Sequence, residues 1–239
     1  ARVSYSVENP TITTEENVYK TVALFESCQK AGVRRVVFSS SSAVYGDVER
    51  LPTRERVQGV PQSPYGLQKK VCEDFASLFN RMYGSDIVSL RYFNVYGPGQ
   101  LGGGPYSTAV SAWCNATFTG QNLRSDGDGE QTRDMIYVDD VVRANILAAE
   151  APVDSVSGKS FNIATGKSIS NNQILEMFKS QFDDTIQITN APERPGDVKA
   201  TLADITQAEE FLGFRAKVDF SEGLHRTWDW WADYGEDER

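Results

Sequence analysis

Histidine is nearly missing: His225 is the only one in 239 residues and cannot form a metal cluster by itself. The three cysteines, Cys28, Cys72 and Cys114, are odd in number and widely spaced. That excludes a disulfide frame or a zinc site and reads as buried helical thiols in a reducing, cytoplasmic compartment. No apolar run reaches the length of a membrane span, and no signal peptide opens the sequence, so a membrane partner is not expected. Asn115-Ala116-Thr117 fits the glycosylation pattern but is taken as accidental without a secretion signal. Positive charge is short, with 24 Lys and Arg against 33 Asp and Glu, a formal charge of -9. This argues against nucleic acid, although an anionic small molecule is compatible with Arg and Lys gathered locally. Finally, no glycine fingerprint of the strand–turn–helix type that cradles a dinucleotide occurs before Val36.

What is present reads as a layered α/β protein. Thr13-Thr14-Glu15-Glu16 forms a capping box, followed by an apolar stripe of Val18, Val22, Phe25 and Cys28 that closes at Gly32. Val36-Val37-Phe38 is a short buried strand running into Ser39-Ser40-Ser41-Ser42. A helix is predicted from Ser63 to about Tyr83, and a second buried strand, Ile87–Leu90, ends in Arg91-Tyr92-Phe93-Asn94. Alternating helices and continuously apolar strands predict a parallel sheet covered on both faces. After Gly97 the glycines multiply, and Gly102-Gly103-Gly104 reads as a loop. Further predictions are a helix over about 106–118, a strand near 122–125, and a helix capped by Asp139. A strand at Phe161–Ala164 and a helix opened by the Ser170–Gln173 capping box follow. Then come a strand over Ile186–Ile188, a helix from Asp204 to Leu212, and a last helix over about 221–234. This second half reads as a smaller mixed α/β annex interleaved with the sheet.

The organising stretch is Ser63-Pro64-Tyr65-Gly66-Leu67-Gln68-Lys69. Ser63 and Pro64 suit an N-cap and first helical position. Tyr65 and Lys69 then share one helix face, about 6 Å apart along the axis. At that separation an ammonium is expected to favour the phenolate by roughly 3 kcal/mol, about two pKa units, making Tyr65 a base near neutral pH. A Tyr–Lys pair at this spacing is common, so its weight comes from its surroundings.

Those surroundings are Ser39-Ser40-Ser41-Ser42-Ala43-Val44-Tyr45-Gly46 before the pair and Arg91-Tyr92-Phe93-Asn94 after it. In that order and spacing they resemble the extended short-chain dehydrogenases, and within these the UDP-hexose 4-epimerases of UDP-glucose and UDP-N-acetylglucosamine type. The likeness runs from about Val3 to Trp231. It implies a Rossmann-like doubly wound parallel sheet, with about 75–80 residues in front carrying the first strands and the glycine-rich NAD loop. Residues 1–100 would be the C-terminal part of the NAD-binding domain, with 135–165 partly returning to it, and 101–239 mainly the nucleotide-sugar annex.

The resemblance implies NAD as cofactor and a UDP-sugar as substrate. It assigns Tyr65 as the base, Lys69 as its tuner and ribose contact, and Ser41 as the hydroxyl partner of the reacting sugar, with Ser42 a second candidate. Asn17, Ser39 and Phe93 match cofactor contacts, and Asn94 matches a contact to the diphosphate. Arg133, within Gly127–Asp134, matches the arginine that holds the nucleotide. Arg194 and Asp197, in Arg194-Pro195-Gly196-Asp197, match the phosphate and ribose clamp. Thr108 and Arg124 fall where relatives touch the sugar and uracil, and Thr201 where the space at C2 of the sugar is set. Ser42 and Ala43 stand where dehydratases and decarboxylases of this fold carry acids, so C4 epimerisation is preferred over elimination. The competing readings are a non-catalytic nucleotide-sugar-binding module, or a UDP-glucuronate epimerase, decarboxylase or other enzyme of the same fold. A homodimer is expected through helices 13–31 and 64–83, with Phe75, Leu78, Phe79 and Met82 as its apolar positions.

Overall fold

The computed structural model describes residues 3–102, 108–193 and 198–237. The chain opens with α1 (Val3–Glu8) and α2 (Pro10–Thr14), then passes through a π-helical turn, Glu15–Tyr19, into α3 (Lys20–Lys30). The helix expected to begin at a Thr13 cap is therefore already under way. Pro10 sits at the first position of α2, and the Thr13 and Thr14 hydroxyls bond back to carbonyls of Asn9 and Pro10 within the helix.

Next come β1 (Val36–Ser41), a 3-10 turn over Ser42–Val44, α4 (Pro64–Tyr83), β2 (Ile87–Tyr92) and β3 (Asn94–Tyr96). Ser63 caps α4 as predicted, its hydroxyl accepting from Gly66 N at 3.1 Å, and Gly84 closes it at φ 67°. The second half adds α5 (Ala109–Phe118), β4 (Leu123–Asp126), β5 (Thr132–Arg133), β6 (Met135–Tyr137) and α6 (Val138–Glu150). It continues through α7 (Val153–Val156), β7 (Ser160–Ile163), β8 (Ile169–Ser170), α8 (Asn171–Gln181), β9 (Ile188–Ala191), α9 (Thr206–Leu212) and α10 (Phe220–Asp237).

β1, β2 and β7 form a parallel sheet with β2 in the middle, so a strand from the second half returns to the first. Strand alternation sorts its side chains. Val36, Phe38 and Ile87 pack against Phe25 of α3 and Cys72 and Phe79 of α4. Val88, Leu90, Phe161 and Ile163 face Val141, Ala144 and Ala148 of α6 and Leu212 of α9. Both faces are covered, which is why these strands read as continuous apolar runs. Beyond the sheet lie the parallel pairs β3–β6 and β4–β9 and the antiparallel pair β5–β8. The annex has its own core around Trp113, Leu123, Ile174, Phe178 and Trp231. The fold is thus the expected α/β class with parallel strands.

Local expectations shift in several places. Asp139 does not cap α6: Tyr137 holds that position, and Asp139 lies exposed in the first turn, 3.9 Å from Arg226. Asp204 precedes α9 and accepts from Thr206 N at 3.0 Å. The strand predicted at Ile186–Ile188 is displaced to Ile188–Ala191, because Ile186 is drawn into the annex core while β9 pairs along β4. Phe79 and Phe75 pack within their own chain, leaving Leu78 and Met82 as the exposed members of the proposed dimer face. The helix predicted from about 106 is seen from Ala109, with 106 and 107 outside the described residues. Cys28, Cys72 and Cys114 are free, and no helix among the described residues is long and apolar enough to cross a membrane.

Candidate active site

The parallel register aligns Ser41 with Tyr92 and Tyr92 with Ile163, so β1, β2 and β7 finish along one edge. In open parallel sheets this carboxyl edge is where ligands bind. Ser41 caps the 3-10 turn, its Oγ accepting from Ala43 N at 3.2 Å, which fixes the hydroxyl at the strand end. The N-terminus of α4 comes close above it. A Cβ on Gly66 would lie 2.4 Å from the Ala43 carbonyl oxygen, so glycine between Tyr65 and Lys69 permits the approach. The Tyr65 amide is held by the Ser6 hydroxyl at 3.0 Å, and its phenol hydrogen-bonds with the Ser41 side chain. Lys69 Nζ donates to the Ser39 carbonyl at 2.8 Å and lies 5.9 Å from the Tyr65 ring centre and 4.8 Å from that of Phe38.

Ser41, Tyr65 and Lys69 therefore converge, but their electrostatics differ from the expectation. Burial pushes the Tyr65 phenol above its ordinary range, and the Ser41 hydrogen bond offsets this only in part. Lys69 is not among the causes of the shift. Its ammonium is directed to the Ser39 carbonyl, and burial lowers its own pKa against the pull of Cys72 and Glu73. Desolvation of a phenolate between packed elements outweighs an ammonium at this distance.

The other residues assigned to the cofactor are held by contacts of their own. Asn17 stands in the π-helical turn, a geometry frequent at functional positions, and its amide donates to Gln68 of α4 at 2.8 Å. Its carbonyl accepts from the Cys72 thiol at 3.1 Å. The Ser39 hydroxyl is 3.1 Å from that of Tyr92, which donates to Asn145. Phe93 is a core aromatic, 6% exposed and packed with Val44, Tyr45, Ala164 and Ala203.

A second grouping is gathered by Asp134, which sequence reasoning placed in a motif without giving it a role. Its fully buried carboxylate accepts from Thr165 N and Oγ1, Gly166 N and Ala203 N at 2.7–3.1 Å. Its amide donates to Thr201 Oγ1 at 3.0 Å, and its carbonyl accepts from Asn94 N at 3.1 Å. Thr201 Oγ1 in turn reaches Asn94 Oδ1 at 3.3 Å. Asn94, Thr201 and the neighbouring Arg133 are thereby brought together just past the end of β2. Arg133 is half-buried and donates to the Thr132 carbonyl.

Two annex residues lie apart from this grouping. Thr108 caps α5, its hydroxyl donating to Gln100 at 2.8 Å. Arg124 projects from β4, its side chain 60% exposed and paired with Asp126, while its carbonyl accepts from Trp113. Ser42 begins the 3-10 turn, half-buried beside Ser41. Arg194, Asp197, Gly103 and Gly104 lie outside the described residues. No group of three or more His, Cys, Asp or Glu side chains able to hold a metal occurs among the described residues.

Beneath the strand ends runs a buried polar chain that sequence reasoning missed. Ser40 Oγ donates to Glu73 at 2.5 Å, and Glu73 pairs with Arg91 at 2.6 Å. Arg91 also donates to Tyr45, whose hydroxyl donates to Asn162 of β7 at 2.6 Å. The signal was available: Glu73 lies one turn beyond Lys69 and two beyond Tyr65, on the same helix face.

Comparison with known proteins bears on this arrangement. A UDP-glucose 4-epimerase of Mycolicibacterium smegmatis is 34% identical over 94% of this chain and 71% of its own length. The solved UDP-N-acetylglucosamine 4-epimerase of Methanobrevibacter ruminantium, in complex with UDP-N-acetylmuramic acid, superposes with TM-score 0.93 at 37% identity. That match covers 98% of this chain and 74% of the other. The UDP-glucose 4-epimerase of Thermotoga maritima with UDP-glucose gives TM-score 0.93 at 36% identity, over 98% and 75% of the two chains. Residues 1–164, which carry the Ser–Tyr–Lys grouping and the returning strand, match the sequence pattern of the NAD dependent epimerase/dehydratase family, and the chain belongs to that family.

Proposed function

We propose that the chain catalyses NAD-dependent epimerisation at C4 of a UDP-hexose, by way of a 4-keto sugar. The observation carrying this reading is the meeting of Ser41, Tyr65 and Lys69 at the carboxyl edge of the parallel sheet. The residues present suit a nicotinamide dinucleotide. The half-buried Lys69, its ammonium on the Ser39 carbonyl, and the Tyr65 phenol gather beside the exposed Ser39 where α4 makes its glycine-permitted approach to the turn after β1. Asn17, Ser39, Tyr65, Lys69 and Phe93 are the residues that would hold it. Held there, NAD would supply a reversible acceptor for the hydride of the sugar carbon.

Tyr65 Oη takes the proton of the sugar hydroxyl, and Ser41 Oγ, hydrogen-bonded to it, orients both. Ser42 lines the same side. The annex grips the nucleotide while the hexose turns. Arg133 and Arg194 neutralise the diphosphate through forked hydrogen bonds, with Asp197 on the ribose and Asn94 on a phosphate. Thr108 and Arg124 flank the sugar and uracil. Thr201, small and tethered to Asn94, leaves room for an N-acetyl group at C2, so UDP-glucose, UDP-galactose and their N-acetylated forms are all accepted. Residues 1–100 with 135–165 form the cofactor side, and 101–239 mainly the nucleotide-sugar side.

Elimination is disfavoured because the positions after Ser41 offer no acid: Ala43 N is spent on Ser41 Oγ, and its carbonyl abuts Gly66. The decisive measurement is conversion of UDP-galactose to UDP-glucose in a coupled assay with NAD supplied. Elimination or decarboxylation products in place of the epimer would overturn the reading. We also propose a homodimer through α3 and α4, supported by the exposure of Leu24, Leu78 and Met82. Light scattering should give twice the chain mass, and a monomeric mass that persists at high concentration would sink it.

A further inference from the structure

Three successive turns of α4 meet three successive residues of β1. Tyr65 hydrogen-bonds with Ser41, Lys69 donates to the Ser39 carbonyl, and Glu73 accepts from the Ser40 hydroxyl. Ser40 is buried and points into the layer between strand and helix, whereas Ser39 and Ser41 flank it on the other side of the pleat. Glu73 is the deepest of the three anchors, its side chain 6% exposed and that of its partner Arg91 13%. Arg91 donates to both Glu73 oxygens at 2.6–3.1 Å and to the Glu55 carbonyl and Tyr45 hydroxyl. Burial, against the Arg91 charge, pushes the Tyr45 phenol up to about 12, so it stays a neutral link to Asn162. The chain of bonds ties α4, β1, β2, β7 and the turn after β1 at one level below the site.

A buried ion pair is weak as a source of stability, since its desolvation rivals its attraction, and an apolar pair of equal volume commonly serves as well. What it supplies that apolar packing does not is direction. The forked bonds from Arg91 fix the direction of the Glu73 carboxylate, and the single bond it accepts from Ser40 sets the end of β1, next to Ser41, against the helix that bears Tyr65.

We propose that Glu73, clamped by Arg91, is a positioning residue for the reaction at Tyr65: through Ser40 it holds the strand end that bears Ser41 in register with the helix that bears the phenol and the ammonium. This rests on the reading of Ser41, Tyr65 and Lys69 as the reacting group. The charged and titratable groups around Glu73 are Lys69 and Cys72 on its own helix, Arg91 on β2, and Tyr45 and Glu55 beyond Arg91. Lys69 is the charged group nearest Tyr65 in this set, and the Ser41 hydrogen bond is what lowers the phenol.

The test uses Glu73→Gln, which keeps the shape and one acceptor, and Ser40→Ala, which leaves the ion pair intact and removes only the link to the strand. Both should lower kcat, Glu73→Gln by up to about 100-fold, with KM for the UDP-sugar nearly unchanged. Glu73→Asp should recover part of the loss. Independently of turnover, isotope-labelled tyrosine NMR, with the Tyr65 signal assigned by Tyr65→Phe, should show Tyr65 titrating higher in both variants, because its bond to Ser41 loosens. Wild-type kcat and an unmoved Tyr65 titration in both variants would overturn the proposal. So would a loss of activity that tracks melting temperature alone with the titration unmoved. Should the wild-type chain show no turnover, the epimerase reading fails separately, and the Tyr65 titration alone decides the positioning role.

Discussion

The strand-end side of the site and the proposed nucleotide side are built differently. Tyr65, Lys69 and Ser41 stand on a twenty-residue helix and a six-residue strand, each tied to backbone or buried side-chain atoms. Arg133 and Arg124 stand on strands of two and four residues, and β9, the partner of β4, is largely exposed. Groups that must be aligned with a reacting bond are carried on rigid elements, where small misplacement is costly. Groups that hold a charged ligand tolerate more play, because a guanidinium can meet a phosphate from several directions. The difference predicts two classes of defect: loss of kcat from the helix–strand side, and loss of affinity from the annex.

The largest effect should come from Tyr65→Phe. It removes one hydroxyl and its bond to Ser41 but no packing, so kcat should fall by about 1,000-fold, the range of a positioned acid–base group. UDP affinity, measured by calorimetry, should stay within a factor of two or so of wild type. A variant that loses UDP affinity and kcat together would erase the contrast between the two sides. Next is Asp134→Ala, at the joint between them. It would strip the amides of Thr165, Gly166 and Ala203 of their acceptor inside the protein. Several unsatisfied buried donors should cost about 3 kcal/mol of stability and loosen Thr201 and Asn94 as well. Urea denaturation measures the first and KM for the UDP-sugar the second, and an unchanged midpoint would show that the amides around Asp134 do not depend on its carboxylate.

Much of the helix–strand side was legible in the sequence because its signals are local. Ser63, Pro64 and the spacing of Tyr65 and Lys69 specify how α4 starts and which face it shows. The uninterrupted apolar runs at Val36 and Ile87 specify strands covered on both faces. What escaped depends on partners distant in sequence. Thr13 and Thr14 have the pattern of a cap, yet the Gln68 amide, more than fifty residues on, donates to their hydroxyls, and the helix has already begun at Pro10. The phenol of Tyr65 was expected to be lowered by Lys69, but helical spacing says nothing of the Ser39 carbonyl that draws the ammonium, or of how deeply the ring is buried. Asp134 and Glu73 read as ordinary acids until the fold surrounds one with amides and the other with Arg91 and Ser40.

The smallest predicted effects sharpen the comparison within the annex itself, because two arginines there differ in how they are held. Arg133 is half-buried on a strand that pairs with β8, next to Asp134. Arg124 extends from β4 into solvent, and the carboxylate it pairs with, at 2.7 Å, is only two residues away. An exposed pair of this kind contributes little, and a side chain with that freedom surrenders most of its gain when it orders on a ligand. Arg133→Ala should therefore raise KM about 10- to 100-fold, the loss expected of charge-assisted hydrogen bonds to phosphate. Arg124→Ala should raise it less than about threefold. Neither should lower kcat at saturating substrate if the annex acts by grip alone. Equal effects from the two substitutions would mean that burial does not decide which arginine binds the nucleotide. A fall in kcat from Arg133→Ala would mean that the nucleotide side also aligns the reacting carbon, and that grip and alignment are shared across the whole site.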